Sequence, residues 1–263
     1  MIVCKSPSEI EKMRAANVLV AEVLGQLAAM VVPGVTTQQL DTAAERLVRE
    51  GGAEPAFKGY RGYPATLCAS VNDQVVHGIP SDRPLAEGDI LSLDMGVKLN
   101  GFYGDSAVTV PVGKIAEDAA ALLRVTKEAL ERGIRQVRVG GRISDIGHAV
   151  QQHVERHGYS VVREFVGHGI GAALHEEPQI ANYGEPGRGP RMVEGMVFAI
   201  EPMVNMGRPA VKVLADGWTA VTRDGSLSAH FEHTEAVTKD GPDVLTMRSA
   251  AVGSNQPVRG AEL

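Results

Sequence analysis

Four acidic residues lie in apolar segments, where carboxylates are rare. Asp94 ends the run ILSLD, Asp105 lies in FYGDSAVTV, Glu201 lies in MVFAIEPMV and Glu232 lies in AHFEHTEAV. Any one of them alone is equally well explained as the end of a strand at a turn, but four in one core are not. Buried carboxylates need an opposite charge or a metal ion. No Lys or Arg lies within five residues of Glu201 or Glu232.

The electrostatic cost of bringing these four carboxylates together points to metal ions. Each like-charged pair about 4 Å apart costs roughly 4 kcal/mol at an effective dielectric constant of about 20. Six such pairs cost at most about 24 kcal/mol, which exceeds the stability of a typical domain. Two divalent cations balance the four negative charges. The acids therefore predict a site for two metal ions.

A histidine is the expected nitrogen ligand among such oxygens. His168 lies in FVGHGIG, where the flanking glycines allow unusual dihedral angles and a close approach to the backbone. The alternative is a histidine buried for structural reasons only, which would not need glycines on both sides. His175 follows seven residues later and His77 lies in the turn-like HGIP, although loop histidines are usually just exposed.

Two groups of helices and strands must position these residues. Ser6-Pro7-Ser8-Glu9 has the pattern of a capped helix start. Helical periodicity and stop signals predict further helices at about 36–51, 117–139 and 144–157. Strands are predicted at 65–71, 89–94, 106–111, 160–166, 196–204, 211–221 and 230–238. This order predicts an α+β fold with two similar halves, one domain over 1–247, and a flexible tail at 248–263.

Composition excludes several classes of protein. The chain has 263 residues, 44% of them hydrophobic and 22% charged, with a formal net charge of -6. This is typical of a globular protein and gives no overall basic surface for sequence-specific nucleic-acid binding or for anionic membranes. Cys4 and Cys68 are too few to staple a fold of this size, and no segment is apolar enough for a signal peptide or a membrane span. We expect a cytoplasmic protein.

The chain resembles the methionine aminopeptidases of type I. The segment FVGHGIGAALHEEPQIANY resembles the signature of that family, GDILSLDMGVKLNGFYGDSA supplies paired aspartates, and VFAIEPM and FEHTEAVT resemble its two glutamate segments. The resemblance runs from about Ser6 to Thr246. Only 31 residues separate Glu201 from Glu232, which leaves no room for the helical insertion of type II enzymes. The resemblance implies the pita-bread fold, two pseudo-symmetric α+β halves with helices packed on a curved, antiparallel-rich sheet.

The resemblance also implies roles for the candidate ligands. Asp94 would chelate one metal ion, Asp105 and Glu232 would bridge both, and His168 and Glu201 would complete the other. The ions would be two of manganese, cobalt, iron or zinc. The implied reaction removes the N-terminal methionine of nascent polypeptides when the second residue is small (Gly, Ala, Ser, Thr, Pro, Val or Cys). A hydroxide activated by both ions attacks the first peptide bond.

The remaining roles concern the substrate. Glu201 would shuttle the proton to the leaving amine, His77 would hold the scissile amide, and His175 would donate to the developing oxyanion or the peptide nitrogen. The resemblance places the methionine pocket at Phe57, Tyr60, Tyr63, Cys68, Leu174 and Trp218. Trp218 has the alternative of being a core aromatic residue. Arg61 and Leu174 depart from the histidine and phenylalanine that many relatives carry.

Partners and alternative functions complete the expectations. Arg132, Arg135, Arg138 and Arg142 fall on one side of a helix end, where they form either a solvated face or a transient contact with ribosomal RNA. We expect a monomer. Prolidase or aminopeptidase P would share the five ligands but usually carries an extra N-terminal domain. A non-enzymatic binding protein on the same fold would typically lose ligands, and all five are present here.

Overall fold

Two pairs of α-helices alternate with two groups of strands along the chain. The computed structural model describes residues 1–247, so the predicted tail at 248–263 lies outside the described residues. The helices are α1 (Pro7–Met30), α2 (Thr37–Glu50), α3 (Glu117–Ile134) and α4 (Ile143–Arg156). Among residues 1–247, no helix combines the length and the apolar character that crossing a lipid bilayer requires.

The helix starts follow the capping chemistry that the sequence predicts. The amide of Glu9 donates to Ser6 Oγ, and the amide of Ser6 donates to Glu9 Oε2 at 2.8 Å, which forms a complete capping box. Thr36 and Gln39 form a second box at α2. The prediction for α3 is five residues too long, because its regular helix ends at Ile134 and tight turns continue to Gly141, where Gly140 has a φ of 84°.

Within residues 1–247, fifteen strands form four sheets, and all pairs in them are antiparallel. Numbered in chain order, the strands are β1 (Glu54–Pro55), β2 (Cys68–Val71), β3 (Gln74–Val76), β4 (Ile90–Leu99), β5 (Phe102–Pro111), β6 (Ser160–Val161), β7 (Gly167–Gly169), β8 (Glu176–Ile180), β9 (Val197–Ile200), β10 (Met203–Asn205), β11 (Val211–Val213), β12 (Ala220–Thr222), β13 (Ser228–His230), β14 (His233–Thr238) and β15 (Gly241–Val244). The main sheets run β1-β4-β2, with β5 beside β4, and β15-β14-β9-β7-β8.

Each helix pair covers the strands that belong to its own half. In the first half, Leu27 and Leu40 of α1 and α2 pack in one cluster with Leu93 of β4. In the second half, Ile146 of α4 packs in another cluster with Phe198 of β9. Burial of these apolar side chains is the main force that holds helices on sheets. The structure confirms an α+β fold with two halves.

A seam of hydrogen bonds joins the two halves. An isolated bridge pairs Ala107 of β5 with Glu232, whose amide donates to the Ala107 carbonyl at 2.9 Å. The Ser106 hydroxyl donates to the Glu232 carbonyl at 2.7 Å, and the Thr234 hydroxyl donates to the Asp105 carbonyl at 2.8 Å. These bonds fix β5, which carries Asp105, against the segment between β13 and β14 that carries Glu232.

Candidate metal and substrate site

Asp94 and Asp105 are brought together by the register of β4 and β5. Asp94 pairs with Ala107, and Asp105 pairs with Gly96, two positions along the same ladder. Because side chains alternate between the faces of a strand, the two aspartates lie on one face as diagonal neighbours. Gly96 opposite Asp105 leaves space that Phe57 occupies, since a Cβ at this glycine would lie 2.9 Å from Phe57 Cε1.

His168, Glu201 and Glu232 come from the second half. His168 lies on β7, where the pairing with β8 shifts register between His168 and Gly169. Such irregularities re-aim side chains and are frequent beside active sites. Glu201 directly follows β9, because Pro202 has no amide to continue the ladder and interrupts the strand predicted for 196–204.

The five predicted ligands converge at one place. His168 Nε2 lies 3.5 Å from Glu201 Oε1 and 4.0 Å from Asp105 Oδ2. One ligand atom each of Asp105, His168 and Glu232 lies within 4.8 Å of the others. All five side chains line a single cavity of about 170 Å³.

The donor atoms of this cluster fit divalent cations. Asp94 Oδ1, Asp105 Oδ1 and Glu232 Oε1 are buried and have no hydrogen-bond partner within residues 1–247. Buried polar atoms without partners are rare in folded proteins and call for an explanation such as an ion. Without a cation, burial raises the pKa of Asp105 to about 7. Burial, followed by the neighbouring carboxylates, raises the pKa of Glu232 well above its usual range.

His168 is held as a neutral side chain with one ring nitrogen free to bind a metal ion. Its Nδ1 lies 2.9 Å from the Gly169 carbonyl, which can only accept a hydrogen bond, so Nδ1 carries the proton. The lone pair of Nε2 then faces the carboxylates. Burial, with a smaller effect from His175, lowers the pKa of His168 to about 4, so the ring is uncharged at neutral pH. This arrangement is the usual one for a metal-binding histidine.

The residues predicted to contact substrate surround the same cavity. It is lined, besides the ligands, by Phe57, Tyr60, Arg61, Tyr63, Cys68, His77, Leu174, His175 and Trp218. The structure therefore gathers every predicted site residue in one place, and their individual roles stay predictions.

Ring contacts fix several of these side chains. His175 Nδ1 lies 3.0 Å from the Tyr60 hydroxyl. The ring of His77 packs edge-on against Trp218 at 6.2 Å, and Trp218 packs edge-on against Tyr63 at 5.1 Å. Aromatic pairs prefer this geometry. Trp218 thus belongs to the cavity wall and is not only a core residue.

The sequence reasoning missed two buried titratable residues close to Glu232 in the chain, His230 and Glu235. His230 Nε2 lies 3.8 Å from Glu201 Oε2, and burial lowers the pKa of this histidine to about 3. Its position two residues before Glu232 places it on the same strand face, a signal that alternation offers. Glu235 is fully buried on β14 with both carboxylate oxygens unpartnered among the described residues, and burial raises its pKa. Both faces of β14 are covered, so alternation does not reveal it.

Comparisons with known proteins agree with this geometry. Residues 11–239 match the profile of metallopeptidase family M24. Methionine aminopeptidase 1 of Bacillus subtilis is 53% identical over 246 residues, 94% of this chain and 99% of that relative. The solved methionine aminopeptidase of Rickettsia prowazekii has a TM-score of 0.93 and 45% identity, covering 94% of this chain and 100% of that one. The Pyrococcus furiosus prolidase, 23% identical with a TM-score of 0.74 over 93% of this chain and 65% of its own, shares the fold alone. The chain has the pita-bread fold and belongs to metallopeptidase family M24, within it to the methionine aminopeptidases.

Proposed function

We propose that this enzyme removes the N-terminal methionine from nascent polypeptides whose second residue is small. The observation that carries the proposal is the single cavity shared by five converging metal-ligand candidates and the residues of the predicted methionine pocket. The chain is an aminopeptidase by its relatives, and the prolidase alternative is not favoured because that likeness extends to the fold alone.

Asp94, Asp105, His168, Glu201 and Glu232 would hold two divalent cations, drawn from manganese, cobalt, iron and zinc. When bound, such ions supply Lewis acidity and lower the pKa of a water molecule between them. Asp105 and Glu232 would be shared by both cations, and the seam joins the backbone segments that carry these two residues.

The proton and the scissile peptide are handled by side chains of this chain. Glu201 would accept the proton of the attacking water on its carboxylate and return it to the leaving amine. His77, whose pKa burial lowers to about 4, is a neutral hydrogen-bonding group that would hold the amide. His175, oriented by Tyr60, would donate to the oxyanion that develops on the carbonyl.

The methionine side chain would lie among Phe57, Tyr60, Tyr63, Cys68, Leu174 and Trp218. Burial raises the pKa of the Cys68 thiol, so the wall is uncharged there. Arg61 adopts a left-handed conformation with φ of 50° and places its guanidinium 5.4 Å from the centre of the Tyr60 ring. We propose that this departure from the family pattern closes one side of the pocket entrance.

Three peptides test the proposed specificity. With the metals removed by a chelator and single metals added back, we expect methionine release from Met-Ala-Ser, whose second residue is small. We expect none from Met-Leu-Ser and no cleavage of Ala-Pro-Ser, measured by mass spectrometry. Cleavage of Ala-Pro-Ser alone would identify a proline-specific enzyme instead, and no cleavage with any metal would identify a binding protein.

Compartment and assembly also stay proposals. Within residues 1–247, both cysteines are free thiols, Cys4 exposed and Cys68 buried, which suits a reducing cytoplasm. We propose a cytoplasmic enzyme that works as a monomer, as a single catalytic domain over 1–247.

For the ribosome contact we propose a smaller set of arginines than the sequence alone indicated. Arg132 and Arg135 of the α3 end line a surface cleft of about 450 Å³ together with Arg156 of α4. The other two arginines of the predicted face point to backbone carbonyls, Arg138 towards Gln136 and Arg142 towards Gly189. Since guanidinium groups bind phosphate well, we propose that this cleft, and not the whole predicted face, contacts ribosomal RNA.

Charge reversal tests the RNA contact. The variant Arg132→Glu/Arg135→Glu/Arg156→Glu is expected to weaken ribosome co-sedimentation about tenfold at low salt, because phosphate contacts dominate such binding. Activity on Met-Ala-Ser stays unchanged. Arg46→Glu/Arg49→Glu, which reverses two exposed arginines on α2, is the control, and we expect it to leave co-sedimentation unchanged. Unchanged, salt-insensitive co-sedimentation of the triple variant would refute the contact.

A further inference from the structure

A buried ion pair lies beside the cavity without lining it. Lys5 Nζ lies 2.7 Å from Glu176 Oε2, and the two side chains are only 4% and 13% exposed. Neither residue is among the described residues that line the cavity. Desolvating two such charges costs several kcal/mol per ion, so a contribution to stability alone does not explain why this pair is buried. Glu176 directly follows His175 in the chain.

Glu176 closes the turn that carries two cavity residues. Its second oxygen, Oε1, accepts the amide of Ala173 at 3.1 Å. Inside the same turn, the Gly171 amide donates to the Ala173 carbonyl at 3.1 Å. Leu174 and His175 project from this turn into the cavity. The position of both side chains therefore depends on where the Glu176 carboxylate is held.

The packing around Gly171 leaves the carboxylate little freedom. A Cβ on Gly171 would lie 2.6 Å from Glu176 Oε1 and 3.0 Å from Lys5 Nζ. The carbonyl of Gly171 accepts the amide of Tyr103 at 2.9 Å, which ties the turn to β5. The ion pair is thus pressed against a residue whose backbone is already fixed.

The backbone of Lys5 is also held, by hydrogen bonds near the start of β9. Its amide donates to the Gly195 carbonyl at 2.7 Å, and Nζ also donates to the Val3 carbonyl at 3.0 Å. The Gly195 amide in turn donates to the Val237 carbonyl at 3.0 Å. Gly195 stands two residues before β9, the strand that Glu201 directly follows. Lys5 therefore connects the start of the Glu201 strand with the His175 turn.

We propose that Lys5 is a positioning residue for the peptidase reaction. Acting through Glu176, it fixes the turn from Gly171 to Glu176 relative to the Glu201 strand, so that His175 meets the developing oxyanion. The inference rests on the function proposed for His175. It assigns a catalytic consequence to the N-terminal segment that precedes α1.

Lys5→Met tests the proposal, because methionine keeps the apolar stem and removes the ammonium group. We expect kcat on Met-Ala-Ser to fall on the order of 10- to 100-fold, with a smaller change in KM, since small displacements of a reacting group cost about this much. Hydrogen exchange of the turn amides is expected to speed up on the order of tenfold in both metal-loaded and metal-free protein. Lys114→Met, at an exposed lysine, is the matched control.

A double variant separates positioning from stability. Lys5→Met/Glu176→Gln removes the unpaired buried charge, while the amide oxygen of the introduced glutamine still offers an acceptor for the Ala173 amide. We expect this variant to regain thermal stability and to keep the low kcat. Recovery of kcat together with stability would overturn the proposal, as would unchanged exchange in Lys5→Met. Full activity of His175→Ala would overturn the proposed role of His175. The hydrogen-exchange result for Lys5→Met does not depend on that role, so the two failures can be told apart.

Discussion

Glu201→Gln is expected to lower kcat on Met-Ala-Ser by a factor of roughly 10² to 10⁴ while the protein stays folded. Glutamine keeps the size of the side chain and loses the carboxylate that takes the proton from water, and general acid–base catalysis contributes about this factor. The Glu201 side chain is 14% exposed at the cavity wall, and its Oε1 faces His168 at 3.5 Å. Steady-state kinetics with saturating metal measure the loss, and calorimetric titration of metal checks that ion binding survives.

The chain offers a matched control for this variant. Glu235→Gln makes the same chemical change at another buried, unpartnered carboxyl that does not line the cavity among the described residues. We expect its kcat to match the wild type. Wild-type kcat in Glu201→Gln, or an equal loss in both variants, would contradict the assignment of Glu201 as the proton shuttle.

Removal of the metal ions is expected to make stability fall as pH rises. In the metal-free protein, burial raises the pKa of Asp105 to about 7, and that of Asp94 well above its usual range. A group whose pKa is raised on folding stabilises the fold fully below its unfolded pKa, near 4, and this stabilisation is lost as pH rises through the folded value. Buried histidines oppose this trend below about pH 6.5, because burial lowers the pKa of His77 and His168 to about 4 and that of His230 to about 3. The metal-free melting temperature should therefore drop mainly above about pH 6.5.

Added metal should reverse this trend. Cations compete with the protons for the same oxygens, so the rise in melting temperature on adding metal should grow with pH. At a free ion concentration of 100 times Kd the gain is about 2.7 kcal/mol, or on the order of 5–10 °C for a chain of this size. Thermal unfolding of metal-free and metal-loaded protein from pH 5 to 8 measures it. Asp105→Asn should lose most of the metal effect, and a gain independent of pH would refute carboxylate binding.

Much of the fold could be predicted because its signals are local. The capping box of Ser6 and Glu9 marks the start of α1 within one helical turn, so it is visible in the sequence. The order of two helices before each group of strands reveals the two halves. The break at Pro202 was not predicted, although proline cannot continue a ladder. The pairing of the strands could not be predicted either. His168 of β7 pairs with Ala199 of β9, 31 residues later, and nothing in either segment identifies its partner.

The candidate site was predictable where burial conflicts with charge. An acid in an apolar strand is visible in the sequence, and four of them require one explanation. Distances are not visible in this way, and neither is His230, whose neutral ring raises no such conflict. Glu235 shows the limit of the reasoning, because the same signal that finds Asp94 and Glu232 also fits a buried carboxyl that keeps its proton outside the cavity.

The seam between β5 and the segment that carries Glu232 also affects the stage of folding at which the site can form. The three bonds described for it join residues 125 to 129 positions apart in the chain. Contacts of such high sequence separation form late, after the loops that they close. Neither half alone presents both Asp105 and Glu232. We therefore expect a chain that is still being synthesised to be inactive until the segment with Glu232 has folded against β5.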